Sequence, residues 1–268
     1  MFRLAIVIIG LLIMVSCAST PSGPPAPPAA RAELTPTGKL RAGINFQNAL
    51  LTAKGPNGEP RGVAVDLARE LARRLNVSLE IVPYSSAGAL AGSVKSAAWD
   101  VAFLGDEPER ANEIAFTDAY AEIDATYLTP AGSKLRSIAD VDRAGVRIVV
   151  PAASAYDLYL SRTIKRAQLV KIPGTATAYK YFVAENLDVL AGLKPTLLEY
   201  TAQLPGSRIL DGRFSVVRQA AGTVKGREAG AQYLREFIED VKASGLVAQL
   251  IEKNGVKGLS VAPKAAAR

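Results

Sequence analysis

VAVDLARELARRLNVSLEIVP, residues Val63 to Pro83, switches its hydrophobic period from that of a helix to that of a strand within one short segment. Leu67, Leu71 and Leu75 recur every four residues beside Ala64, Ala68 and Ala72, which lays one apolar stripe along a helix. Asp66 near its start and Arg73 and Arg74 near its end suit the helix dipole. Ser78 to Pro83 then alternates as a strand. Working outward, Lys39 to Ile44 (KLRAGI) reads as an earlier strand, set apart by the turn cluster GPNGEPRG, Gly55 to Gly62. Downstream, a helix from about Ala87 to Ala98 leads into a third strand, Asp100 to Leu104. This β-α-β-α-β rhythm predicts a parallel sheet with helices on its faces. Ligands of such sheets lie beyond the carboxyl ends of the strands.

The rhythm breaks at an extended stretch, Glu122 to Pro130, and then restarts. Val146 to Val150 reads as a buried strand, and Ser154 opens a helix running through Tyr156, Leu158 and Leu160. Gln168 to Ile172 is a strand, Thr175 to Ala184 a helix and Leu187 to Ala191 a strand. A second extended stretch, Phe214 to Val224, precedes a final helix, Ala229 to Gly245, ended by a capping glycine. Two α/β units joined by two extended crossings predict two lobes, 35–124 with 219–262 and 125–218, and a tail, 263–268, without structure. The hinge falls near Ile123–Tyr127 and Arg218–Gly222.

The N-terminus reads as an address. One basic residue, Arg3, precedes an apolar run from Leu4 to Val15, too short to span a bilayer as a mature helix. The run ends in Met14-Val15-Ser16-Cys17, and Cys17 is the only cysteine of the chain. These residues resemble the bacterial lipobox, in which the thiol takes a diacylglyceryl group and cleavage leaves the cysteine first. An ordinary signal peptide with an incidental cysteine is the alternative. The following ASTPSGPPAPPAARAE is rich in Pro, Ser and Ala, so residues 18–34 are expected to form an extended tether that packs no core.

Composition narrows the chemistry. The chain of 268 residues contains no histidine and carries a formal charge of +7. His-based acid–base catalysis, His/Cys metal sites and an intrachain disulfide are therefore excluded. The basic residues are scattered among acids, with no Lys/Arg run and no interleaved aromatics, so a solvated surface is expected and nucleic acid is not.

Five ordered blocks then carry a family likeness: LRAGI, GEPRGVAVDLARELARRL, WDVAFLGDEPERANEIAFTDAY, GVRIVVPAASAYDL and AGAQYLREFIEDVKASGLVAQLIEKNG. Over about Thr35 to Ala262 the sequence resembles the bacterial extracellular solute-binding proteins, family 3. The resemblance implies a two-lobed, type II periplasmic-binding-protein-like α/β fold. It also implies a monomer that binds a small solute without cofactor, metal or catalysis and delivers it to the membrane permease of an ABC importer. A cyclic-carboxylate dehydratase, with Asp106 or Glu107 as acid, and a sensing module for a membrane receptor are the alternatives. Arg110 matches the family arginine that clamps a ligand carboxylate, and a planar guanidinium fork suits that role. Gly105 and Phe103 fall where relatives carry pocket serines, which leaves Gly105 only its backbone N–H. Ser154 and Ala155 match a Gly-Thr-Thr segment that offers hydroxyls and helix N-terminal amides, a simple N-cap being the other reading of Ser154. Asn48 and Leu51 lie where relatives contact the ligand side chain. Asp188 matches a structural aspartate, but the aspartate that binds an α-ammonium is replaced by Leu193, followed by Lys194. The resemblance thus implies a carboxylate-bearing solute rather than an unmodified α-amino acid.

The lipobox gives a direct test: Cys17→Ser should move the protein from the membrane fraction to the soluble one. Unchanged partitioning would refute the anchor.

Overall fold

The computed structural model describes residues 25–266; the apolar leader, Cys17 and the first part of the expected tether lie outside them. In chain order, lobe one begins with α1 (Pro28–Leu34), β1 (Lys39–Asn45), a short hairpin of β2 (Ala53–Lys54) and β3 (Pro60–Arg61), and α2 (Val63–Leu75). It continues with β4 (Ser78–Tyr84), α3 (Ala87–Gly92), β5 (Val101–Gly105) and the long β6 (Ile114–Thr129). There follow β7 (Arg147–Pro151), α4 (Ala155–Thr163), β8 (Gln168–Ile172), α5 (Thr175–Ala184), β9 (Val189–Leu193) and α6 (Lys194–Thr201). The chain closes with β10 (Arg208–Ile209), β11 (Ser215–Val224), α7 (Glu228–Ala243), α8 (Leu246–Lys253) and β12 (Ser260–Val261).

β1 pairs in parallel with β4 and β5, and β7 in parallel with β8 and β9. Between these two halves β6 and β11 run antiparallel to each other, from Ile114 opposite Val224 to Ala125 opposite Ser215. β11 flanks β5 on one side and β6 flanks β9 on the other, giving the strand order β4-β1-β5-β11-β6-β9-β7-β8. Every residue of β5 and of β9 is buried, as central parallel strands covered on both faces require. The stripe read from the sequence packs α2 onto lobe one, burying Leu67, Leu71 and Leu75, and Asn76 ends the helix in a left-handed cap at φ +52°. Gly62, just before α2, has φ +119°, and a Cβ there would sit 2.3 Å from the Leu51 carbonyl oxygen. That close approach demands glycine and sets the Leu51–Thr52 segment on the cleft.

Each lobe repeats one anchoring device. Asp100, before β5, is fully buried and accepts from the Arg41 backbone N–H and from its Nε at 3.2 and 2.9 Å. Asp188, before β9, accepts from the same two groups of Arg147 at 2.9 and 3.1 Å. The aspartate opening a central strand thus grips the start of its neighbour.

Several expectations need correction. The tether does not extend to residue 34: Pro28–Leu34 is helix α1, whose Ala30 and Leu34 are buried. Its composition of good helix formers behind an N-terminal proline supports this. Leu34 fits over Gly230 of α7, where a Cβ would meet its Cδ2 at 2.9 Å, and Glu33 accepts from the Gly230 N–H at 2.7 Å. The tail is ordered at least to Ala266, with Pro263 accepting from Lys242 Nζ and the Ala265 N–H donating to Glu239. The helix expected over 87–98 stops at Gly92 and resumes as a 3₁₀ turn, Val94–Ser96. The first crossing begins at Ile114, well before Glu122, and α6 and α8 were not anticipated.

The docking of α1 predicts that Leu34→Ala, which empties a fully buried site, lowers stability by about 2–5 kcal/mol. Urea denaturation checks this as a lowered midpoint with unchanged slope. A passive tether would give no shift.

Candidate functional site

The carboxyl ends of the parallel strands in both halves face one another across a cavity of about 70 Å³. Lobe one contributes Asn45, Gln47, Asn48 and Leu51 from the segment after β1, Phe103 from β5, and Arg110. Lobe two contributes Ser154, Ala155 and Tyr156 at the head of α4, Thr175 at the head of α5, Leu193 ending β9, and Tyr200 of α6. Val217 and Gln219 of the crossing strand β11 complete the wall. Among the described residues lining it, Arg110 is the one charged side chain, and no carboxylate lines it.

Arg110 is only 6 % exposed and lies in a 3₁₀ turn just beyond β5. Its Nη1 donates to the Gly105 carbonyl at 2.9 Å and its Nη2 to the Ala153 carbonyl of lobe two at 3.0 Å. A guanidinium carries five N–H donors, so these two bonds hold the plane while leaving donors for a solute anion. Burial pushes the guanidinium down to about 10, and the nearby Glu107, Glu109 and Asp106 carboxylates act against that shift. It stays charged at neutral pH.

Across the cleft, Ser154 caps α4 by accepting from the Asp157 N–H at 3.1 Å. The amides of Ala155 and Tyr156, in the same first turn, have no intrahelical acceptor. Ala153 sits in left-handed backbone at φ +56°, held there by its N–H donating to the buried Asp157 carboxylate at 2.8 Å. That conformation turns its carbonyl to Arg110. Lys171 pairs Asp157 at 3.0 Å. Burial pushes the Tyr156 hydroxyl up to about 12, while hydrogen bonds from Thr175 and Ser154 oppose it.

Of the residues singled out in the sequence, Arg110, Asn48, Leu51, Phe103, Ser154, Ala155 and Leu193 meet on this cavity. Gly105 is not itself a lining residue but adjoins the cavity: its carbonyl orients Arg110, and a Cβ there would lie 3.1 Å from the Ala155 Cβ and 3.3 Å from Arg110 Nη1. Lys194 also turns elsewhere, onto an outer groove with Asp124, Glu199 and Lys257. Asp106 and Glu107 point away from the cavity to Arg218 at 3.0 Å and Arg162 at 2.8 Å. Sequence reasoning missed Tyr156, Thr175, Tyr200 and Gln219. Thr175 follows Gly174 at a helix start and was the most legible of them.

The lobes are in contact on both sides of the cavity. A Cβ on Gly88 of α3 would lie 2.5 Å from the Ala153 Cβ, and one on Gly174 would lie 3.1 Å from Gln47 Nε2.

The profile of bacterial extracellular solute-binding proteins, family 3, matches residues 40–257. No curated protein matches the chain. Among solved structures, a mutant of ArgBP from T. maritima is similar at 24 % identity and a TM-score of 0.70, over 84 % of this chain and 98 % of that one. A putative binding component of an ABC transporter from Wolinella succinogenes, complexed with lysine, has 23 % identity and a TM-score of 0.69, over 81 % and 95 % of the two chains. An ancestral amino acid-binding protein, a precursor of cyclohexadienyl dehydratase, has 21 % identity and a TM-score of 0.69, over 83 % and 97 %. These likenesses give the fold, that of the type II periplasmic binding proteins.

The Gly88–Ala153 approach yields a test of closure. Gly88→Ala improves helix propensity in α3, so thermal stability should not fall. The added methyl meets another rigid methyl across the cleft, so a fluorescence-transfer pair with one dye per lobe should report a smaller closed fraction. An unchanged fraction would show that the lobes do not need this contact to meet.

Proposed function

This chain belongs to the bacterial extracellular solute-binding proteins, family 3, and from that premise we propose that its solute is a small organic anion bearing a carboxylate but no ammonium group. The observation that carries this is the wall of the cavity: one buried guanidinium, no carboxylate, and neutral groups elsewhere. Arg110 offers a planar fork to a carboxylate, and Ser154, Ala155 and Tyr156 at the head of α4, where first-turn amides lack intrahelical acceptors, line the same space. Where a solute ammonium would need an acid, the side chain is that of Leu193. The Wolinella relative holds lysine. A solute carrying two amines would here meet a cation and find no partner for either.

The rest of the proposal follows from the family and the leader. The protein, anchored through lipid on Cys17, closes by rotation about the β6–β11 crossings, and the permease of an ABC importer reads the closed form. Contacts to Arg110 from one lobe and to the head of α4 from the other supply the differential affinity that closure requires. A dehydratase would need an acid over the solute. Asp106 and Glu107 are turned to other arginines, which favours binding without chemistry.

Calorimetry on matched pairs tests the solute class: alanine against pyruvate and lactate, and leucine against 4-methyl-2-oxopentanoate. The acids without ammonium should bind more tightly than the amino acids. Arg110→Ala should lose tenfold to a hundredfold in affinity, as expected for a lost charge-assisted hydrogen bond worth about 1.5–3 kcal/mol. Tighter binding of the amino acids would overturn the solute class, and an indifferent Arg110→Ala the clamp.

A further inference from the structure

Arg110 ends an acidic loop, Asp106-Glu107-Pro108-Glu109-Arg110, so three carboxylates stand beside the one cation on the cavity wall. All three act on the Arg110 guanidinium electrostatically. Yet none is hydrogen-bonded to it, because each is taken by another arginine. Asp106 accepts from Arg218 Nε of β11 at 3.0 Å. Both oxygens of Glu109 accept from Arg162 Nη1, at 2.7 and 2.6 Å, and Glu107 accepts from Arg162 Nη2 at 2.8 Å. Arg162 comes from the other lobe, near the end of α4, and neither it nor the two glutamates line the cavity.

Two consequences of this bridge can be compared by size. As a latch between lobes, its Glu107 arm is mostly covered, at 11 %, whereas its Glu109 arm is a surface pair, with side chains of Arg162 and Glu109 at 35 % and 42 %. Such a pair shifts an equilibrium by no more than about fivefold. As a restraint on the glutamates it matters more. A carboxylate from the protein's own loop, seated on a buried guanidinium, removes the charge-assisted pair a solute would form there, on the order of tenfold in affinity or more. Resting on the carboxylate reading of the cleft, we propose that Arg162 is a positioning residue that holds Glu107 and Glu109 off Arg110 and so keeps the anion site open in the closed protein. When the lobes part, Arg162 leaves with α4, and the glutamates are free to turn to Arg110. Opening then displaces the solute with the protein's own carboxylates, and closing exchanges them back to Arg162. Release is coupled to opening by this exchange of partners.

The test titrates pyruvate and 4-methyl-2-oxopentanoate by calorimetry into the wild type, Arg162→Ala, Arg162→Lys, and Arg162→Ala combined with Glu107→Gln and Glu109→Gln. Arg162→Ala should bind the acids on the order of tenfold more weakly, with an unchanged unfolding temperature. Arg162→Lys, which keeps the charge, should stay within about threefold of the wild type. The triple variant should also recover to within about threefold, because it lacks the competing charges although it lacks the bridge too. A triple variant as weak as Arg162→Ala would reduce the bridge to a latch and overturn the proposal, as would an Arg162→Ala that binds like the wild type. If the wild type binds neither acid, the carboxylate reading of the cleft itself fails, a result distinct from binding that Arg162→Ala leaves untouched.

Discussion

The structure hangs on one antiparallel pair. β6 and β11 lie side by side from Ile114 and Val224 in lobe one to Ala125 and Ser215 in lobe two, and every parallel strand is attached to one flank or the other. β5 joins through β11 and β9 through β6, so the carboxyl ends of both parallel sets point into the same gap. The cleft is therefore a product of topology before any side chain is chosen. The register of the pair shifts around Gln219 and Ala220, and Gln219 lies on the cavity wall. On the proposed hinge, a change of angle between lobes is absorbed as twist in two continuous strands, with the ladder intact.

On that frame the electrostatics of the site turn on keeping one buried guanidinium available. Carbonyl oxygens of Gly105 and Ala153 orient it without neutralising it. The Ala153 carbonyl is presented by left-handed backbone that costs about 1–2 kcal/mol for a residue with a Cβ, and the buried Asp157 holds it there. Asp157 in turn is charge-paired to Lys171, behind the cavity. The local acids thus shape the binding loop or bond to Arg162 and Arg218, and none faces the solute. Leu193 completes the pattern by leaving lobe two's share of the wall free of charge.

Much of this was legible because parallel strands covered on both faces must be continuous apolar runs. The strands read over Asp100–Leu104 and Leu187–Ala191 begin in the structure at Val101 and Val189, and the aspartate before each grips an arginine on the neighbouring strand. What resisted reading was position relative to a strand end. Gly105 and Leu193 each end a central strand, but Leu193 lines the cavity with a side chain, whereas Gly105 adjoins it without one and acts through the carbonyl that orients Arg110. Lys194, next to Leu193 in sequence, begins α6, with Pro195 in the first turn, and lies on an outer groove instead of the cavity. The helix at Pro28–Leu34 was hidden by the proline-rich composition before it, although Ala30 and Leu34 already had the spacing of one helical face.

The closed arrangement also bounds how the two lobes can work as a receptor. Their direct contacts are small: Gly88 and Gly105 against the Ala153 and Ala155 methyls, Gly174 against Gln47, one arginine–carbonyl bond and the Arg162 bridge. Exposed ion pairs contribute at most about 1 kcal/mol, so these contacts cannot hold the lobes shut against the loss of freedom by themselves. The solute must supply the remainder, and it does so only through groups that touch both lobes at once. A carboxylate between Arg110 and the head of α4 meets that condition. A solute that reached only the amides of Asn45 and Asn48 would bind one lobe and leave the angle between them unchanged.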